Sequence, residues 1–242
     1  MEKNIKKLLF GTATLLAATT APMAAQAQDV SVSTSIDYVT EYVFRGVTLE
    51  SEAIQPGVEV GLGDFSAGVW ISTGLGSDSL ADTDEVDFYA GYSFGLSELV
   101  SASVGGTWYH YPDGQDTFEA NLGVSFDTLL SPSATAYYDF TLEAFTFEGG
   151  VGHSLPVSEK TSLDLGLTAG LVTAENDVSW EYATASAALG YGFTDDVSAY
   201  VGANYTLSSS DDEGLGLDAD EIFQGNPQSD LLWFGIGVAA GF

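Results

Sequence analysis

No cysteine occurs anywhere in the chain, which removes disulfides, thiolate metal sites, iron–sulfur clusters and cysteine nucleophiles from consideration. Basic residues are nearly absent: five Lys and Arg stand against 35 Asp and Glu, for a formal charge of −30. A surface of that sign repels phosphate backbones, so nucleic acid is excluded as a partner. His110 and His153 are the only histidines, and six prolines are spread over 242 residues. No apolar run reaches the ~20 residues that a membrane-spanning helix needs. Strong acidity commonly marks disorder. A content of 45% hydrophobic and 12% aromatic residues contradicts that reading, and implies that apolar and acidic residues are sorted onto different faces.

The N-terminus has the three parts of a secretory signal peptide. Lys3, Lys6 and Lys7 form a basic region, Leu8 to Ala18 an apolar stretch, and Ala25-Gln26-Ala27 a small-residue cleavage site. Residues 1–27 are therefore expected to be removed, leaving residues 28–242 as one domain. Arg45 and Lys160 are then the only basic side chains.

From Val30 onward, apolar residues alternate with small or polar ones. Phe118, Ala120, Leu122, Val124 and Phe126 are interleaved with Glu119, Asn121, Gly123 and Ser125. The pattern predicts about twelve strands, near 30–46, 54–62, 65–73, 84–94, 99–109, 116–126, 133–142, 144–155, 161–172, 180–193, 197–207 and 230–242. Most are long enough to cross a bilayer at a tilt, which takes about 9–11 residues. Gly63-Asp64, Gly95 to Glu98 and Thr194 to Asp196 read as tight turns, whereas Gly74 to Thr83 and Ser208 to Ser229 are long and acidic. Short turns at one end and long loops at the other are the asymmetry of an outer-membrane barrel. A soluble β-sandwich also alternates, but its strands are shorter. Aromatic residues near the strand ends, such as Trp108, Tyr138, Phe140, Tyr191 and Phe193, fit the two interfacial girdles of a barrel. The fold expected is an all-β transmembrane antiparallel up-and-down barrel in the Gram-negative outer membrane, surrounded by lipid and lipopolysaccharide. Its last strand ends in Phe242, as does the segment that barrel-assembly machinery recognises.

Placing Phe242 toward lipid sets the register. Asp87, Glu119, Asp139, Glu148 and Asp164 then point into the lumen, as they must, since charge on the lipid face is costly. Asp37, Glu41, Arg45 and Glu59 complete the expected pore-lining set, with Tyr38, Tyr42 and Phe44 facing lipid. Arg45 has two readings. It ties the wall through a carboxylate of a neighbouring strand such as Glu59, or it is a positive point that tunes ion passage.

The segment Tyr38 to Thr48, with Tyr42-Val43-Phe44-Arg45-Gly46 at its centre, is followed by Ile54-Gln55-Pro56-Gly57 and by Phe65 to Trp70 (F-S-A-G-V-W). This opening resembles that of the TorF family, porin-like Gram-negative proteins of poorly defined function. The resemblance implies an outer-membrane porin without catalytic residues.

Enzymatic signals are weak. Gly91-Tyr92-Ser93-Phe94-Gly95 matches G-x-S-x-G, but a nucleophile elbow needs a helix after its strand, and here another strand follows. His110 and His153 are expected at opposite membrane faces. Asp211, Asp212, Glu213, Asp218, Asp220 and Glu221 crowd one loop without the order of an EF-hand. No cofactor, metal site or catalytic set is assigned. The functional expectation is passive diffusion of small solutes, preferring cations, with a closed barrel working through its acidic loops as the alternative.

Overall fold

The computed structural model describes residues 30–75, 84–112, 114–174, 179–209, 226–227 and 230–242. The expected signal peptide and the acidic cluster 211–221 lie outside them. The strands are β1 (Val30–Val39), β2 (Tyr42–Phe44), β3 (Val47–Glu50), β4 (Ala53–Leu62), β5 (Phe65–Gly74), β6 (Glu85–Gly95), β7 (Val100–His110) and β8 (Thr117–Phe126). They continue as β9 (Ser133–Asp139), β10 (Ala144–Pro156), β11 (Thr161–Thr173), β12 (Ser179–Gly192), β13 (Val197–Ser208), β14 (Asn226–Pro227) and β15 (Asp230–Gly241). Twelve of these form one closed antiparallel barrel in which each strand pairs with its neighbours in sequence. The seam is β1 against β15, extended by Val32 and Phe242, which exchange backbone hydrogen bonds at 2.8 and 3.1 Å.

Alternation in the sequence becomes inside and outside in the barrel. On β8, Leu122 is 62% exposed whereas Glu119 is 3% exposed. Apolar side chains out and carboxylates in is the reverse of a water-soluble domain, and it suits a closed sheet set in lipid. A sandwich would instead need two sheets with an apolar core between them. The outward aromatics gather in two belts. Phe88–Trp108 and Phe118–Phe140 pair near one rim, and Tyr92–Phe94 and Tyr191–Phe193 near the other.

The first predicted strand is corrected. β1 stops at Val39, and β2 and β3 form a separate hairpin that joins β14 in a three-stranded sheet. Phe44 pairs with Val47, leaving Arg45-Gly46 as a two-residue turn with φ of +49° and +83°. Positive φ at both central positions is the hairpin turn whose twist matches its strands. Tyr42 therefore does not face lipid; it is 3% exposed, and Phe44 packs inward on Tyr109 with ring centroids 6.1 Å apart. The two apolar clusters of the interior both involve this hairpin. Val47 packs with Ala144, Val172, Trp180 and Tyr182, and Tyr42 and Val43 pack with Val39, Ala53 and Trp233.

Candidate functional site

Hairpin β2–β3 folds into the barrel mouth and puts the chain's one described Arg against the opposite wall. The Arg45 guanidinium meets Glu119 of β8 through both nitrogens, Nη1 to Oε2 at 2.6 Å and Nη2 to Oε1 at 2.9 Å. Its side chain is 9% exposed and that of Glu119 3%. A planar fork on a carboxylate is the geometry that Arg provides and Lys does not. The guanidinium also lies 4.7 Å from the Phe44 ring centroid and 4.5 Å from that of Tyr137, which adds cation–π attraction. Tyr109 donates its hydroxyl to Glu119 at 3.2 Å. From the far side, Trp180 of β12 donates Nε1–H to the Arg45 carbonyl at 2.9 Å. The turn is thus gripped by β8, β9 and β12 together. Gly46 is required there, because a Cβ on it would lie 2.6 Å from the Cβ of Tyr182.

Glycines in the wall make room for inward aromatic rings. Tyr182 lies over Gly170, and its hydroxyl donates to Glu148. Tyr89 lies over Gly68, while Tyr200 and Asp37 meet above Gly237. Below this plug the inward side chains are small and at least partly exposed, among them Ser66, Ser93, Ser103, Ser125 and Ser186. The half of the barrel that holds the hairpin is packed, whereas these inward serines of the other half keep partial exposure.

The nine residues expected to line the lumen divide accordingly. Glu119 holds Arg45, so Glu59 is not its partner; Glu59 takes a hydrogen bond from Tyr89. Asp87 is fully buried. Asp139 ends β9 and accepts the backbone N–H groups of Thr141 and Leu142, each at 2.8 Å. It caps the tight β9–β10 turn, where Glu143 has a positive φ of 49°. Asp164 accepts the Ser162 hydroxyl at 2.8 Å. Glu41 is not on a barrel strand, since it falls in the connection after β1. Partial burial, and then the nearby charge of Glu52, hold its carboxyl above the ordinary range.

Sequence reasoning missed Glu85, Tyr111, Trp180 and Tyr182. Glu85 is 3% exposed and accepts the Tyr111 hydroxyl at 2.8 Å. Its parity with Asp87 on β6 was the available signal. The G-x-S-x-G match lies at the end of β6 and leads by a tight turn into β7. His110 bonds Asp116 at 2.8 Å near one rim, whereas His153 bonds the Leu129 carbonyl at 2.7 Å near the other. Among the described residues, no three His, Asp or Glu side chains are placed to share a metal ion.

A family model described as a bacterial protein of unknown function (Gcw_chp) matches residues 23–137, a span that includes both Arg45 and Glu119. No curated protein matches the chain. Among solved structures, the KdgM porin is similar at 10% identity and a TM-score of 0.57, over 88% of this chain and 99% of its own. The NanC porin is similar at 14% identity and a TM-score of 0.54, over 86% and 98%. An outer membrane channel from Pseudomonas putida F1 is similar at 12% identity and a TM-score of 0.58, over 90% and 97%. At such identities the likeness is one of fold, and the fold is that of outer-membrane barrels that include porins and channels.

Proposed function

We propose that the chain is an outer-membrane channel for small solutes or ions, preferring cations, whose outer mouth is closed by hairpin β2–β3. The observation that carries this reading is the hairpin itself, docked on Glu119 inside the barrel mouth, with small and partly exposed inward serines beyond it. A barrel with only a mechanical role needs no such plug. On this reading the TorF-like segment around Phe44-Arg45-Gly46 is the gate.

Selectivity follows from charge. Asp37, Glu59, Glu148 and Asp164 face the lumen, while Arg45 is already engaged by Glu119. Low-dielectric walls focus that negative field and concentrate cations. One KdgM porin structure is in complex with disordered oligogalacturonate, which is a polyanion. The acids of the present lumen oppose such a cargo, so the likeness supports the channel reading without that substrate.

The test is reconstitution into planar bilayers of the wild type and of a variant with residues 41–51 replaced by a short Gly-Ser turn. Rare conductance steps in the wild type and frequent ones in the variant are expected, with a reversal potential of cationic sign across a KCl gradient. The preference should fade with salt, since the Debye length falls from ~10 Å at 0.1 M to ~3 Å at 1 M. Silence from both proteins would favour the closed barrel working through its outer loops, and an anion-selective current would remove the cation preference.

A further inference from the structure

Among the described residues, the Arg45–Glu119 pair uses the one buried Arg or Lys and leaves a second group of buried acids without a cation. Glu85 and Asp87 are two apart on β6 and so share its inward face. They are 3% and 0% exposed, so two carboxyl groups lie buried side by side on that face. Glu85 is supplied with donors: Tyr111 gives its hydroxyl at 2.8 Å, and Tyr42 of the hairpin gives another. Asp87 is not, because neither of its oxygens meets an N–H or O–H donor. The other groups facing the pair offer no compensation. From β6 itself comes Tyr89, whose hydroxyl goes to Glu59; from β7 comes Tyr109, and from β8 comes Glu119 with its charge already matched by Arg45. From β5 come Trp70 opposite Asp87 and Ser72 opposite Glu85, and neither titrates. Two neighbouring carboxyl groups out of water and without a cation do not readily ionise together.

We propose that Glu85 and Asp87 share one proton while the hairpin is docked, and that this proton is the latch of a pH-controlled gate. The inference rests on the channel reading above. With the proton present, Asp87 donates to Glu85, the pair carries a single negative charge, and Tyr42 stays seated on it. When the proton leaves for solvent, two adjacent anions remain beside Glu119. They are relieved only by water, which can enter when Tyr42 and the hairpin lift. Acid therefore closes the gate and alkali opens it. The buried Arg45–Glu119 pair opposes opening at every pH in the range, which sets a low open level in the protonated state.

The experiment records open probability in planar bilayers at fixed KCl, from about pH 5 to about pH 10, a range spanning values documented for buried carboxyls. The proteins are the wild type, Asp87→Asn, Glu85→Gln and the hairpin-replaced variant. The wild type should open with rising pH, changing by up to about tenfold per pH unit as the loss of one proton dictates. Asp87→Asn and Glu85→Gln carry a permanent amide donor and should stay closed throughout. Heat-modifiable migration checks that each forms a barrel. Should either fail to fold, infrared spectra of the wild type supply the second measurement, where the carbonyl band of a protonated carboxyl should vanish as the gate opens. A wild type that conducts without pH dependence, or variants that keep the wild-type transition, would overturn the inference while the channel reading stands. A hairpin-replaced barrel that is silent at every pH would overturn the channel reading itself.

Discussion

Glu119→Gln isolates the tie that holds the hairpin, and the chain contains its own reporter for that tie. The substitution keeps the shape of the side chain but leaves the Arg45 guanidinium, 9% exposed, without its counter-charge. Breaking a buried ion pair from one side destabilises by about 3–5 kcal/mol. Since each 1.4 kcal/mol is tenfold, the undocked population should rise by about two to three and a half orders of magnitude. The full value is an upper limit, because the Phe44 and Tyr137 rings still face the guanidinium at 4.7 and 4.5 Å. The barrel ladder does not depend on the pair, so the whole effect should fall on the hairpin. Trypsin cuts after Arg and Lys, and beyond the signal region the chain offers it only Arg45 and Lys160. Lys160 sits exposed in the β10–β11 turn. In detergent, the wild type should be cut at Lys160, and Glu119→Gln at both sites. When opening and closing outpace cleavage, the rate at Arg45 follows the open population. The Lys160 rate serves as the internal standard. If Glu119→Gln is cut at Arg45 no faster than the wild type, while Lys160 is cut equally in both, the hairpin is not held by this pair.

Three other outcomes are expected. In intact cells, a protease of broad specificity should cleave between Ser208 and Ser229 and spare Thr194 to Asp196, since the latter is a tight turn at the opposite rim; cleavage at Asp195 in sealed cells would invert the topology. Deleting Phe242 removes both seam hydrogen bonds to Val32 and should lower the yield of heat-modifiable barrel; an unchanged yield would show that the seam closes without them. Gly170→Val places a β-branched side chain where even a Cβ would lie 2.5 Å from the Tyr182 ring. It should cost about 1–3 kcal/mol in urea denaturation, as overpacking does, and the same change at half-buried Gly241, where a Cβ meets nothing within 4 Å, should have little effect.

The barrel was legible because a membrane leaves so little choice. Every strand must put apolar residues in lipid and keep its charges inside, so Phe118 to Phe126 betrays its register without knowledge of any neighbour. The hairpin was hidden by the same regularity. Tyr42 and Phe44 keep the outward parity of Ile36 and Tyr38 on β1, and an inward hairpin is as β-like as the wall it leaves. What marks the change is chemical: Arg45-Gly46 suits a two-residue turn, and four apolar residues surround it where a pore wall would be polar. The partner of Arg45 was out of reach for another reason. Glu119 is 74 positions away, and alternation makes it one of many inward carboxylates that all look alike. Geometry chooses among them through the hairpin's reach, which brings the guanidinium to β8 and not to Glu59 on β4. One inference was nevertheless available before any coordinates. A lone inward Arg in so acidic a lumen must meet a carboxylate, and once it is paired, any other buried acid has only solvent or a proton to neutralise it. Glu85 and Asp87 are left in that position by the strand they share, which puts both on one face at the depth where the hairpin excludes water.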